Sequence, residues 1–165
     1  MIERHISLFN GPIEIGLRSL IILTKVYPLD CSIQQLVAFD YLLVHSDDLP
    51  DGPTGLHPKI PQRSGEYLIR RKTLQEGLLL YMSRGLISQE YRQNGLRYVA
   101  TESAGNFLDS LTSEYIKELQ NIADWVVDNF STIPELELNL FMKEHLDKWG
   151  TEFIKEHTLW PEDSL

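Results

Sequence analysis

The sequence contains a single cysteine, Cys31, among 165 residues. One thiol excludes an intramolecular disulfide and a cysteine-rich metal site, and it suits a protein of a reducing compartment. The sequence also lacks an apolar run long enough to span a membrane or to form the core of a secretory signal peptide. We therefore expect a cytoplasmic protein that has no contact with membranes.

Sequence motifs of common enzyme classes are missing as well. There is no glycine-rich phosphate loop, which excludes a P-loop ATPase, and no pair of histidines at helical spacing. No serine or cysteine lies in a glycine-flanked nucleophile elbow. The sequence therefore predicts a protein that is not an enzyme and that needs no cofactor or metal.

The segment HSDDLPDGPTGLHP is the best candidate for a polar site. It brings His45, Asp47, Asp48 and His57 close together in the sequence. Clustered carboxylates and imidazoles could hold a divalent metal, but their spacing matches no known metal motif. We favour the interpretation that these residues cap a helix and hold a loop by hydrogen bonds, with a metal site as the alternative.

The net charge of -9 is distributed unevenly. Residues 1–101 carry 11 Lys and Arg against 10 Asp and Glu, whereas residues 102–165 carry 4 against 14. Residues 59–97 form the single basic stretch, with 8 cations against 3 acids. A stretch this short fits either DNA phosphates or an acidic protein surface.

The first half of the chain predicts three helices. Pro12 suits the first position of the first helix, and Pro28 closes it. Ser32 and Gln35 form a capping box that opens the second. Four prolines between residues 46 and 65 predict an ordered loop before a third helix near Arg71–Arg84, which Gly85 ends.

The segment LISQEYRQNGLRYVA predicts a β-hairpin. Asn94 and Gly95 suit a two-residue type I′ turn because both tolerate positive φ. This turn pairs Tyr91 with Tyr98 on the face that packs on the core, together with Ile87 and Ala100. Three helices followed by a hairpin predict a winged helix.

The same turn places two arginines of the hairpin directly opposite each other on its outer face. Arg92 and Arg97 would then form a fork for an anion, either DNA phosphate or a carboxylate cluster. We group them with the other cations of the basic stretch as candidate partner- or DNA-binding residues. The full set is Arg63, Arg70, Arg71, Lys72, Arg92 and Arg97.

The last third of the sequence is helical in pattern. Thr101 suits a helix cap, the helix is expected to break near residues 110–113, and a further amphipathic helix follows Pro134. The predicted fold class is therefore mainly α with a small β-hairpin. We expect a winged-helix domain over residues 9–112 and a C-terminal helical extension over residues 113–165.

One acidic residue lies on a predicted buried face. Asp40 falls on or beside the apolar stripe of the second helix, where an unpaired carboxylate would be costly. We expect it to pair with Arg18 or a tyrosine hydroxyl, and this structural role is favoured over that of a functional acid.

Five blocks of the sequence resemble, in order, the middle-component family of bacterial ABC-three-component systems, such as Lamassu-type systems. The blocks are FNGPIEIGLRSLIIL, FDYLLVHSDDL, GLHPKIPQRSGEYLIRRK, GLLLYMSRGLI and YVATESAGNFL. The resemblance runs from about Phe9 to about Phe130. It implies an adaptor of an anti-phage or anti-plasmid defence complex that bridges an SMC/Rad50-like ABC ATPase and a nuclease-like effector.

Two alternatives stay open at this point. A winged helix can be a DNA-binding transcriptional regulator, but the predicted outer face of the third helix carries one lysine, one acid and a leucine, which suits a protein contact better than base readout. Contact with the DNA backbone is compatible with the basic stretch. A homodimer that pairs through Trp125, Trp149 and the last helix is the second alternative.

Overall fold

The computed structural model describes residues 11–56 and 63–145, except for the side chains of residues 63–68. Within these ranges the chain is mainly helical and forms a two-stranded antiparallel hairpin, which confirms the predicted fold class at that level. The elements are α1 (Pro12–Val26), α2 (Ile33–Val44), a short 3-10 helix (Ser46–Asp48), α3 (Arg63–Ser83), β1 (Ile87–Arg92), β2 (Gly95–Ala100), α4 (Ser103–Asp109), α5 (Glu114–Phe130) and α6 (135–145).

The first two helices begin where the sequence predicts. Pro12 is the first residue of α1. In α2 the capping box is complete. The backbone N–H of Gln35 donates to Ser32 Oγ at 3.1 Å, and the backbone N–H of Ser32 donates to Gln35 Oε1 at 2.9 Å. Local hydrogen bonds therefore fix the direction in which α2 leaves the connection from α1.

The third helix begins eight residues earlier than predicted. The proline-rich loop was predicted to extend to Gly65 and the helix to begin near Arg71, whereas α3 begins at Arg63. That prediction is wrong because the first turns of α3 are mostly polar and charged, so they lack the apolar periodicity that marks a buried helix face. The predicted end is confirmed, since Gly85 has a φ of 73° and its amide donates to the Met82 carbonyl.

The core lies where α1, α2, α3 and α5 meet. Helix α1 packs against both α3 and α5, so it is the central helix of the described residues. Its buried residues include Leu20, Ile21 and Leu23. α1 and α3 come into close backbone contact at Gly16 and Gly77, where neither helix has a side chain to hold them apart.

The elements after the hairpin also pack on this core. The predicted break is confirmed, because α4 ends at Asp109 and Ser113 caps α5, its Oγ accepting from the Ile116 amide. The predicted role of Thr101 is wrong, since its hydroxyl donates to the Gly85 carbonyl and caps no helix. In α6, Leu138 and Met142 are buried. The predicted amphipathic helix is described only as far as residue 145, so Trp149 of the predicted homodimer contact lies outside the described residues. No helix in the described ranges has the length and apolarity that a membrane crossing needs.

The hairpin exists, but its register differs from the prediction. Arg92 lies opposite Gly95, so Gln93 and Asn94 form the loop. Asn94 does not adopt positive φ, whereas Gly95 does, at 103°. A type I′ turn needs positive φ at both central residues, so the turn predicted at Asn94-Gly95 is excluded.

The shifted turn changes which side chains reach the core. Ile87, Tyr98 and Ala100 are buried, as predicted. Tyr91 pairs with Leu96 instead of Tyr98 and is 86% exposed. The tyrosine pair that was expected to anchor the hairpin is therefore absent, and Tyr91 stands near the tip of the hairpin in solvent.

Replacing Gly77 with alanine is expected to destabilise the protein by about 1–3 kcal/mol, although alanine favours helices more than glycine. The added Cβ would lie 2.6 Å from the Pro12 carbonyl oxygen and 2.9 Å from the Gly16 backbone nitrogen, so α1 and α3 would have to move apart. Gly105→Ala is the control, because a Cβ there meets nothing within 4 Å. It should stabilise slightly, and equal gains for both variants in chemical denaturation would contradict the close contact.

Candidate functional site

A buried carboxylate joins three helices. Asp40 of α2 accepts hydrogen bonds from Arg18 of α1, from Nε at 2.6 Å and from Nη2 at 3.2 Å. It also accepts from Nη1 of Arg70 on α3. The predicted pair of Asp40 with Arg18 is confirmed, and Arg70, a candidate for partner or DNA binding, lies inside the protein instead of on its surface.

The electrostatics of this triad favour an ionised Asp40. Burial opposes ionisation of the carboxyl, but the charges and hydrogen bonds of Arg18 and Arg70 outweigh burial and lower the pKa of Asp40. The Arg70 guanidinium also lies over the Tyr41 ring, 5.4 Å from its centroid. The arrangement suits a structural role, because the carboxylate is enclosed by cations of its own chain.

The polar segment after α2 folds back onto the end of that helix. His45 is buried, with its ring 4.6 Å from the Tyr41 ring and its Nδ1 3.8 Å from Asp48 Oδ2. Ser46 Oγ donates to the Pro53 carbonyl at 3.0 Å. Asp47 lies half-buried beside Gly55, and His57 lies outside the described residues. The described contacts fit the interpretation of this segment as a hydrogen-bonded loop.

The described part of this segment holds no cluster of metal ligands. In the ranges that the structure describes, no three His, Cys, Asp or Glu side chains are grouped in a way that could hold a metal ion.

The two hairpin arginines do not face each other. In the observed register Arg97 lies opposite Glu90, and Arg92 lies opposite Gly95. The predicted direct opposition is therefore wrong, and the cause is the position of the turn. The two guanidiniums nevertheless converge on one anion, because Arg97 Nε lies 2.8 Å and Arg92 Nε 2.9 Å from the oxygens of Asp30.

Arg97 is the centre of this second polar network and is itself buried. Besides Asp30, its guanidinium donates to Gln35 Oε1 at 3.0 Å and to Glu135 Oε2 at 3.3 Å. Glu135 also accepts from Ser32 Oγ, the cap of α2. The network therefore ties the hairpin to the start of α2 and to the start of α6, and Arg97 is not available to an external anion.

Arg92 is more exposed than Arg97, but its guanidinium also pairs with carboxylates of the same chain. Its Nη2 donates to Glu90 Oε2 at 2.6 Å, in addition to the contact with Asp30. The hydrogen bond and the charge of Glu90, together with the charge of Asp30, raise the pKa of Arg92 above its ordinary value. The fork that the sequence predicts for an external anion thus holds the protein's own carboxylates.

The outer face of α3 is the candidate surface for a partner. Arg71 and Lys72 are exposed there, and neither forms an ion pair or a side-chain hydrogen bond with any residue in the described ranges. Two large apolar residues are exposed on the same helix, Ile69 at 70% and Leu79 at 62%. The side chain of Arg63, the remaining candidate cation, lies outside the description.

We define the α3 surface as Ile69, Lys72, Glu76, Leu79 and Ser83. Their spacing of three and four places them along one stripe of the helix, and all five are exposed. Leu79 was predicted to be exposed on this face, whereas Ile69 was not predicted to be part of it. Ile69 has the helical spacing of this stripe. It was missed because the third helix was expected to begin near Arg71, after that residue.

The model of a protein family, Middle Component 2 of ABC-three component (ABC-3C) systems, matches residues 8–152. The match extends past Phe130, where the resemblance found in the sequence stopped, and it takes in α6. No curated protein and no solved structure matches the chain.

Asp40→Asn is expected to destabilise the protein at neutral pH by about 3–5 kcal/mol, because it leaves two buried guanidiniums without their carboxylate. The pKa of Asp40 in the folded protein lies below its ordinary value of 3.8. The stability that ionised Asp40 contributes is therefore present above that value and lost as pH falls through the folded-state pKa.

The free energy of unfolding, measured for both proteins by denaturant titration across pH, checks this. The difference in unfolding free energy between wild type and Asp40→Asn should be large and constant from roughly pH 5 to 8. It should shrink progressively as the pH falls below about 4 toward the folded-state pKa of Asp40. Asp109→Asn, at an exposed position, should change stability by less than about 0.5 kcal/mol. A gap that is independent of pH down to strong acid would argue against an ionised Asp40.

Proposed function

The chain belongs to the Middle Component 2 family of ABC-three-component systems, and we propose that it acts there as a non-catalytic adaptor. In this proposal it bridges an SMC/Rad50-like ABC ATPase and a nuclease-like effector. The system would act as a bacterial defence complex against phage and plasmids. Family membership makes the chain one component of a multicomponent system, and the adaptor role is our interpretation of its surfaces.

The α3 surface is the observation that carries this proposal. Ile69 and Leu79 expose large apolar side chains on one face of a helix, with Lys72 between them. A protein interface combines such an apolar centre with a charged rim. Single exposed apolar residues are ordinary on protein surfaces. The support therefore comes from two of them on one stripe, beside a lysine that has no ion-pair partner among the residues described.

The use of the ionisable groups supports a role without catalysis. Asp40 is enclosed by Arg18 and Arg70, and His45 packs between Tyr41 and Asp48. Catalytic acids and bases need access to a substrate and a pKa near the working pH. These groups are instead buried in contacts that hold the helices together.

We also propose that α1, α2, α3 and the hairpin form a winged helix. The order of the elements supports this, as does a short bridge in which Cys31 and Tyr98 exchange backbone hydrogen bonds of 2.9 and 2.8 Å. This bridge adds the α1–α2 connection to the edge of the hairpin. In this assignment α3 takes the place of a recognition helix.

A role as a sequence-specific regulator is less well supported. The outer face of such a recognition helix would present Lys72, Gln75, Glu76, Leu79 and Ser83, which offer little for reading base edges. The arginines of the hairpin are matched by Asp30, Glu90 and Glu135. Any contact with DNA is therefore expected to involve the phosphate backbone and few cations, with a weak dependence on salt.

Co-expression of the chain with the other two components of its own system tests the adaptor role. Wild type should co-purify with both, and the double variant Ile69→Asp/Leu79→Asp should lose at least tenfold in affinity for one of them, because the new charges replace the apolar centre of the α3 surface. Leu29→Asp is the matched control, since Leu29 is 69% exposed in the connection between α1 and α2 and is not part of the α3 surface. It should assemble like wild type.

Two results would refute the adaptor role. One is a wild-type chain that binds neither component. The other is a purified chain that cleaves DNA by itself with magnesium or manganese, because this would give it a catalytic site.

A further inference from the structure

An open apolar groove lies beside the α3 surface, between the first turn of α1, the end of α3 and α4. Its volume is about 480 Å³. The residues that line it come from all three helices and from the start of the hairpin: Ile13, Leu80, Tyr81, Arg84, Leu86 and Phe107. Tyr81 and Leu86 are buried in its floor, whereas Ile13 is 61% exposed at its rim.

The groove is held open by fixed contacts. The Tyr81 hydroxyl donates to the Ile13 carbonyl at 2.9 Å, and the Tyr81 ring meets the Phe107 ring edge to face at 6.4 Å. Burial and the charge of Glu14 raise the pKa of Tyr81 to about 12, so this hydroxyl stays protonated and keeps donating at neutral pH. The floor is therefore preformed, which lowers the entropic penalty of binding.

One cation lines the otherwise apolar groove. Arg84 follows the last residue of α3 and is exposed. It forms no ion pair and no side-chain hydrogen bond with any residue in the described part of the chain. Arg92 and Arg97 of the hairpin form ion pairs with carboxylates of the protein. Arg84 differs from them because it can pair with an external acid.

The chemistry of the lining selects the kind of ligand. An extended peptide would bring backbone amides and carbonyls into an apolar groove where they find few partners, which is unfavourable. A helix satisfies its own backbone and presents side chains at spacings of three and four. Nucleic acid is disfavoured, because binding to phosphates needs several cations and the groove has one.

We propose that this groove binds an acidic amphipathic helix of another component of the ABC-three-component system. Apolar side chains of that helix, three or four residues apart, lie against Tyr81, Leu86 and Phe107, and an aspartate or glutamate pairs with Arg84. This inference rests on the proposed adaptor function, and it adds the chemistry of the segment that the adaptor recognises.

The test uses the co-expressed complex. Arg84→Glu and Ile13→Glu should each weaken binding of one component at least tenfold, whereas Arg84→Lys should retain most of the affinity. Ile13→Glu is expected to fold, because its position in the first turn of α1 favours an acidic side chain. Lys117→Glu, an equal charge change at an exposed position of α5, should bind like wild type.

A photo-crosslinking amino acid at position 13 identifies the bound segment by mass spectrometry. The expected product joins position 13 to a partner segment with apolar residues at helical spacing and an acid within one turn. A crosslink to a basic segment, to nucleic acid or to a second copy of this chain would overturn the proposal. Groove variants that assemble like wild type would overturn it and leave the adaptor function standing, whereas a wild-type chain that fails to assemble would overturn both.

Discussion

The ion-pair triad of Asp40 with Arg18 and Arg70 is the interaction on which the rest of the structure depends. It joins one residue from each of the first three helices, in a place where an unpaired charge would be strongly destabilising. The direction of α3 follows from it and from the close approach of Gly16 and Gly77. That direction decides which residues of α3 face solvent, and so it determines both the α3 surface and the position of Arg84 at the groove.

The second polar network explains why the two arginines of the hairpin do not form a basic surface. Arg97 and Arg92 share Asp30, and Arg97 also reaches Glu135 at the start of α6. The acidic last third of the chain thus supplies part of the countercharge for the hairpin. Arginines that look available in the sequence thus hold elements together. In the described part of the basic stretch, the other exposed cations are Arg71, Lys72 and Arg84, along and just after α3.

How far the sequence predicted the structure depended on whether the deciding contact was local. The start of α1, the capping box of α2, the end of α3 at Gly85 and the break before α5 were all predictable, because each rests on neighbouring residues. The hairpin register was missed because both Asn94 and Gly95 can adopt positive φ, and the sequence does not show that only Gly95 does so. The pairing of Arg70 with Asp40 joins residues 30 positions apart, and the groove needs three helices. Neither leaves a local signal.

If Asp40 acts only as a structural group, its triad can be replaced as a unit. Exchange of a buried ionic cluster for apolar side chains of similar size is often neutral or stabilising, whereas loss of one member is not. The most direct measurement is therefore the assembly of the triple variant Arg18→Met/Asp40→Leu/Arg70→Met with the other components of the system. We expect a folded protein whose affinity for its partners lies within about threefold of wild type, a difference under 1 kcal/mol. A variant that is folded but no longer assembles would contradict a purely structural carboxylate.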